Sequence, residues 1–440
     1  MADTDMPRRR WLRVALRLSV LVLLLPLAEL AARLLPPLVG AEEVDWRERR
    51  GNVISGSDEP DVAMTAGVNP DRLGVWSRPQ EAMHPYTGYV LHPDLLRVTA
   101  VPPAGSVGRY GFADLHQPAA GPSAERLDVA VFGGSVAGQI GLIGGDALGD
   151  ALARVPELAG RRIVVHALGI GGYKQPQQLF ALTYLLFQGV HFDVVVNFDG
   201  YNEVALPPVN NVPKGVAAAY PKNWYFRVQS VLEPQIQVVQ GKVAYLRARR
   251  VAWAQRFQGS WLEASALANL VWQWRDSRFS WRLLQEQVAL HHYRPEDDLD
   301  YTVTGPVRAY ADDDEMYRDL ARIWESSSRQ MHRLCKASRI HYLHFLQPNQ
   351  YIAPSKPMSD AERAIAIRDD QLYVASVRTG YGYLQDAGAR LAAEGVRFHD
   401  LTPMFAGFEP PVWSDSCCHL NERGCALVAE RIASEIAAAW

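Results

Sequence analysis

Ser135 follows an apolar run, Leu127 to Phe132, and two glycines, Gly133 and Gly134. A serine hydroxyl attacks a carbonyl only when a base removes its proton. A Gly-Gly turn after a strand bends the backbone sharply and exposes both the Ser135 hydroxyl and its N–H. His419 is the candidate base. It lies in Asp415-Ser416-Cys417-Cys418-His419-Leu420-Asn421, ahead of an apolar-periodic helix, with Asp415 near enough in sequence to fix the imidazole tautomer. Acyl transfer also needs donors aimed at the developing oxyanion. Asn202, in Asp199-Gly200-Tyr201-Asn202-Glu203, offers a side-chain N–H, and Gly169-Ile170-Gly171-Gly172-Tyr173 offers a backbone N–H that no side chain obstructs. Each has an ordinary structural use as well: Gly-Ser is common in loops, a histidine near a helix start caps or packs, and Asn and Gly form turns. Together they point to ester hydrolysis or acyl transfer through a serine-bound acyl intermediate.

The elements that must position these residues are legible from Arg126 onward. Leu127 to Phe132, Arg162 to Leu168, Asp193 to Phe198, Ile340 to Leu346 and Val396 to Asp400 read as strands. Gln177 to Phe187 and the stretches 313–337, 360–393 and 421–438 read as helices. Strands alternating with helices predict a parallel sheet covered on both faces, and such sheets carry their chemistry at the carboxyl ends of the strands. The candidate residues all fall at such ends. Residues 41–125 read as a linker and irregular lead-in, 126–203 as the first part of the core and 313–440 as the second. Between them, 204–312 is too long for a connection and reads as a helical insertion holding Trp224, Trp253, Trp261, Trp272, Trp274 and Trp281. Those tryptophans either pack on each other and on the sheet or line a substrate groove as a lid.

Residues 1–40 read as a cytoplasmic tail and signal anchor. Arg8, Arg9, Arg10, Arg13 and Arg17 precede an apolar run from Leu18 to Ala28, the order of an export signal. A helix continued to Leu35 covers about 18 residues and roughly 27 Å, close to the hydrocarbon thickness, with Glu29 and Arg33 paired on one face. The arginine bias places the body outside the cytoplasm, with a cleaved signal peptide at Val39-Gly40-Ala41 as the rival reading. The 440-residue chain has a formal charge of −3, which gives no electrostatic reason to expect nucleic-acid binding. Four cysteines cannot staple a fold this size.

These motifs resemble the SGNH, or GDSL-type, hydrolase superfamily over about 126–204 and 313–438. By that resemblance Gly133-Gly134-Ser135-Val136 supplies the nucleophile and first oxyanion donor, Gly172 the second and Asn202 the third. Asp415 and His419 supply acid and base. The anchor, His84-Pro85-Tyr86-Thr87-Gly88-Tyr89 and Phe345-Leu346-Gln347-Pro348-Asn349 are similar to a membrane-anchored bacterial branch of the superfamily. The resemblance implies an α/β fold: a three-layer flavodoxin-like parallel sheet with a large helical insertion and an N-terminal transmembrane helix. It implies no cofactor and no metal. The chain departs from the family pattern twice. Gly134 stands where an aspartate is usual. Asp-x-x-His carries one extra residue, so that Ser416 occupies the usual acid position and His419 could instead work as a dyad on a backbone carbonyl.

The resulting expectation is an exported serine esterase or acyltransferase at the periplasmic face of the inner membrane. Its expected substrate is a small-molecule or polysaccharide ester, with O-acetyl groups of an envelope or exported polysaccharide favoured over lipid esters. The alternative is a catalytically silent polysaccharide-binding or scaffolding protein. Cys417, Cys418, His419 and Cys425 could in principle hold zinc, but adjacent cysteines lack the usual C-x₂₋₄-C spacing. A disulfide from Cys335 to one of the C-terminal cysteines is expected instead. His291, His292, His341 and His344 read as packing or surface residues.

Overall fold

The computed structural model describes residues 24–34, 45–55, 81–92, 107–113, 119, 121–225, 227–228, 234–292, 300–354 and 356–438. Two compact units divide the chain. One comprises Met1–Ser77 with Ser230–Glu296, the other Arg78–Gln229 with Asp297–Trp440. The expected insertion 204–312 is therefore trimmed at both ends, and its flanks fold with the sheet. Ala217 N–H donates to Thr304 O at 2.8 Å, and Trp224 Nε1 donates to Thr302 O at 3.0 Å.

In the sheet unit, β1 (Glu81–His84) and β2 (Gly88–Leu91) form an antiparallel hairpin, within a stretch whose sequence shows no periodicity. Strands β3 (Arg126–Gly133), β4 (Arg162–Gly169), β5 (Val194–Asp199), β6 (His341–Leu346) and β7 (Arg397–Asp400) match the five expected strands to within a residue or two. They form one parallel sheet in the order β4-β3-β5-β6-β7. The central strands are buried along nearly their whole length, as a sheet covered on both faces requires. The helices Ser135–Leu142, Gly145–Ala153 and Glu422–Ala437 pack as one group. Gln177–Phe187, Asp313–Ala337 and Val374–Ala393 pack as another. The chain leaves β3 toward β4, then crosses to β5 on the other side. The order reverses between β3 and β5, and a crevice opens at their carboxyl ends.

The other unit is helical. Pro234–Phe257 and Ala266–His292 pack on each other, and the former also packs on Trp46–Ser55. Trp272 is fully buried there, edge-on to Trp46 at 6.5 Å, and Arg250 pairs with buried Asp276 at 2.7 and 3.0 Å. Trp261, Trp274 and Trp281 are exposed. The tryptophans thus divide between core and surface, and Trp224 belongs to the sheet unit. The tail, most of the expected anchor and the rival cleavage site lie outside the described residues. Residues 24–34 are helical. The expected Arg33–Glu29 pair forms at 2.9 Å, and Glu29 also accepts the N–H groups of Ala266 and Leu267 at 2.8 and 3.0 Å. Among the described residues no helix is long and apolar enough to cross a membrane.

Candidate active site

Strand β3 ends at Gly133, Gly134 is the N-cap, and Ser135 opens the helix Ser135–Leu142. The first amides of a helix have no carbonyl partner within it, so the Ser135 N–H stands beside its own hydroxyl at the positive end of the helix. Ser135 Oγ lies 2.7 Å from His419 Nε2, and His419 Nδ1 lies 2.5 Å from Asp415 Oδ2. The structure brings together all three residues, which are separated by up to 284 positions.

The extra residue between Asp415 and His419 is absorbed by the second carboxylate oxygen. Asp415 Oδ1 accepts the backbone N–H groups of Cys417, Cys418 and His419 at 2.9, 3.2 and 3.2 Å. Residues 415–419 are thereby wound into one turn whose ends face each other. Ser414 N–H donates to His419 O at 3.0 Å, and Asn421 N–H to Val412 O at 2.9 Å. Asn421 then caps the last helix through Gly424 N–H. Ser416 faces away, toward Gln371 Nε2, so the imidazole is oriented by a carboxylate rather than by a backbone carbonyl.

Burial pulls the His419 pKa down, but the hydrogen bond and charge of Asp415 outweigh it and leave it above the ordinary imidazole value. Lys222 acts weakly against protonation. For Asp415, burial raises the pKa. The His419 hydrogen bond and charge, with the backbone donors, win and hold it at about 2. The pair is a carboxylate beside an imidazole that binds a proton readily, which is what a general base needs.

The further donors expected from the sequence to face an oxyanion lie in the loops after β4 and β5. Asn202 Nδ2 donates to Tyr173 O at 2.7 Å. An amide nitrogen carries two hydrogens, so this bond holds the group in place and leaves a second donor. Gly134 has no room for a side chain, since a Cβ would stand 2.3 Å from Asn202 Nδ2. The Asn202 amide occupies the space that a side chain at position 134 would take. Gly172 sits at φ +81°, which favours glycine, and the Lys222 stem lies over it. Tyr89 OH donates to Gly171 O at 2.9 Å. Because a trans peptide points its C=O and N–H in opposite directions, that bond fixes the aim of the Gly172 N–H.

Several positioning residues carry no sequence motif. Gln350 Nε2 donates to Asp415 O at 3.1 Å and Tyr351 OH to Ser416 O at 2.7 Å, so the segment after β6 clasps the 415–419 turn. Asn349 Nδ2 reaches Cys417 O at 3.4 Å. Leu420 N–H donates to Gln139 Oε1 at 3.3 Å, which ties the turn to the Ser135 helix. Buried Glu203 accepts Gly200 N–H at 2.8 Å and Gln175 N–H at 2.9 Å. Burial and the neighbouring Asp199 raise its pKa to about 8. Its place as the third residue of the helix Tyr201–Leu206, reaching back to Gly200, is the glutamate half of a capping box and was the one signal available.

His344 is completely buried, bonded to Asp199 at 2.9 Å and Ser328 at 2.8 Å; it is a packing residue. The expected disulfide is not formed: all four cysteines are free. Cys335 lies in the last turn of the helix Asp313–Ala337, and its carbonyl accepts Ile340 N–H just before β6. It therefore lies at the amino edge of the sheet, opposite the loop that holds Cys417 and Cys418. Those two sulfurs are 3.5 Å apart. With His419 they place three donor atoms within 4.8 Å of one another. Both His419 nitrogens already face Asp415 and Ser135, so a metal there would displace the acid–base pair rather than add to it. No family model matches this chain, and no curated protein matches it.

Proposed function

We propose that this protein is a serine ester hydrolase or acyltransferase of SGNH type. The observation that carries the reading is the continuous hydrogen-bonded line Asp415–His419–Ser135 at the carboxyl edge of a parallel sheet. Counting the five strands in chain order gives 2-1-3-4-5, the flavodoxin-like order that the resemblance implies. In the proposed reaction His419 Nε2 takes the Ser135 proton as Oγ attacks the ester carbon. Asp415 stabilises the imidazolium. The carbonyl oxygen gains negative charge and is met by the Ser135 and Gly172 N–H groups and the second N–H of Asn202. The imidazolium returns its proton to the departing alcohol, leaving an acyl-serine. Water, or the hydroxyl of an acceptor, then repeats the sequence in reverse.

An exported, membrane-anchored setting and an O-acetylated polysaccharide substrate are part of the proposal. The setting rests on the arginine-flanked apolar segment, and the substrate on that setting together with the tryptophan-rich insertion. The test is turnover of p-nitrophenyl acetate beside Ser135→Ala, together with fluorophosphonate labelling and peptide mapping. Serine-dependent turnover with the label on Ser135 supports the reading. No turnover and no label would leave the polysaccharide-binding or scaffolding alternative.

A further inference from the structure

The turn that orients His419 carries two cysteines side by side. Successive side chains of an extended chain point to opposite faces. Here the three backbone N–H groups gathered by Asp415 Oδ1 wind the chain back on itself and bring Cys417 Sγ and Cys418 Sγ to 3.5 Å. Both thiols are free, Cys418 buried and Cys417 half-buried. Tyr201 OH lies 3.2 Å from Cys417 Sγ. The hydrogen bond from Cys418, helped by His419 and Tyr201 against the effect of burial, holds Cys417 below the ordinary thiol range. The same bond, together with burial, holds Cys418 above it. The pair is therefore asymmetric. A reachable sulfur that ionises readily has a buried thiol in contact behind it, the arrangement of a sensor cysteine and its resolving partner.

A bond between these sulfurs would act on the peptide between them. Adjacent Cα atoms stand about 3.8 Å apart across a trans peptide, whereas disulfides usually span about 4.4 Å or more. The ring can close only by turning the Cys417–Cys418 peptide. That peptide holds the turn at both of its polar ends: its carbonyl, Cys417 O, accepts Asn349 Nδ2 at 3.4 Å, and its N–H, on Cys418, donates to Asp415 Oδ1 at 3.2 Å. His419 is the next residue. A bond closed against such geometry is easily reduced, which suits a reversible modification rather than a staple.

We propose that Cys417 and Cys418 form a reversible oxidation site, closing to a vicinal disulfide with hydrogen peroxide as the oxidant and withdrawing His419 from Ser135. The effect on turnover rests on the serine-hydrolase reading; the bond itself does not. A half-buried sulfur admits a small peroxide more readily than a bulky disulfide. The Cys417 thiolate attacks one peroxide oxygen, the O–O bond breaks, and the departing hydroxide takes up a proton to become water, leaving a sulfenic acid on Cys417. Cys418 gives up its proton and attacks the Cys417 sulfur. The S–S bond forms, the S–O bond breaks, and the second hydroxide leaves as water. Two thiols are oxidised and one peroxide is reduced.

The experiment treats the full chain with hydrogen peroxide, quenches it in denaturant with excess iodoacetamide, and maps tryptic peptides by mass. Cleavage after Arg397 and Arg423 leaves Cys417 and Cys418 alone together in the peptide Phe398–Arg423, with Cys335 and Cys425 in others. That peptide is expected to lose two hydrogens and take no alkyl group, and to take two alkyl groups after dithiothreitol. In Cys418→Ser the sulfenic acid should be trapped on Cys417 and labelled by dimedone; the wild-type map stands by itself should this variant fail to fold. Each hydrogen bond of the turned peptide is worth about fivefold. Oxidation should therefore lower kcat for p-nitrophenyl acetate by about 25-fold, and dithiothreitol should restore it. Two alkylated cysteines after peroxide, or Cys417 driven on to sulfinic acid with no disulfide, overturns the proposal. A disulfide that leaves Ser135-dependent turnover undiminished overturns the withdrawal of His419 and leaves the esterase reading standing. A disulfide in a protein whose reduced form turns over no ester upholds the oxidation site and overturns the esterase reading.

Discussion

Asp415→Asn isolates the residue whose sequence spacing departs from the family pattern. Asparagine preserves an oxygen for the three backbone N–H groups of Cys417, Cys418 and His419, so the turn keeps its shape. Its amide then faces His419 Nδ1 in place of Oδ2. An NH₂ there donates, Nδ1 must accept, and the ring proton moves to Nε2, where it can no longer receive the Ser135 proton. The charge is lost as well. Two unit charges about 4 Å apart at an effective dielectric of about 20 interact by ~4 kcal/mol. The Asp415 side chain is 41% exposed, so solvent screening trims this to ~2–3 kcal/mol, or about two powers of ten. Loss of the working tautomer brings the expected fall in kcat to about 10³–10⁴. The assay is steady-state hydrolysis of p-nitrophenyl acetate, with the melting temperature confirming an unchanged fold. A fall of less than tenfold at unaltered melting temperature would refute the assignment and return the acid role to a backbone carbonyl.

Three further outcomes follow from the same geometry. Only neutral His419 accepts a proton, so kcat/KM should rise with pH through its pKa; because that pKa is raised, the acid limb should centre above about 6.5, and it should move down in Asp415→Asn. Gly134→Ala would place a Cβ 2.3 Å from the present position of Asn202 Nδ2; displacing that donor should lower kcat by about 10²–10³ with KM little changed, and an undiminished rate would remove Asn202 from the oxyanion site. Tyr89→Phe deletes the hydrogen bond to Gly171 O. It is worth about 1 kcal/mol net, so kcat should fall about fivefold at constant KM, a split read directly from initial-rate curves.

The parts of this architecture that repeat along the chain were legible in the sequence. Apolar runs closed by glycine marked β3, β4 and β5, because a strand buried on both faces is apolar along most of its length. Ser135 and Asn202 were visible because each follows such a boundary, and Asp415 and His419 because they pair just ahead of an apolar-periodic helix. The geometry between Asp415 and His419 was not. It depends on which way two carboxylate oxygens turn, and spacing alone favoured doubt. Gln350 and Tyr351 escaped notice since their roles consist of single hydrogen bonds to backbone atoms some 65 positions away, which leave no local pattern. The β1–β2 hairpin was hidden for another reason: its strands are four residues each, too short for alternation to show. Cysteine arithmetic misled because it counts thiols without regard to the edge of the sheet on which each one lies.

Glu203 gives the crevice a mechanical character of its own. A single carboxyl group grips the amides of Gln175 and Gly200, in the chain segments after β4 and β5, so Tyr173, with the Asn202 amide bonded to it, belongs to one stiff jaw. The acid and base belong to another, braced by the chain beyond β6 and by Gln139. Ser135 stands at the seam. Gln139 stands on the Ser135 helix, so the hydroxyl travels with the imidazole, and any widening to admit a bulky ester would open between Ser135 and the jaw that carries Tyr173 and Asn202.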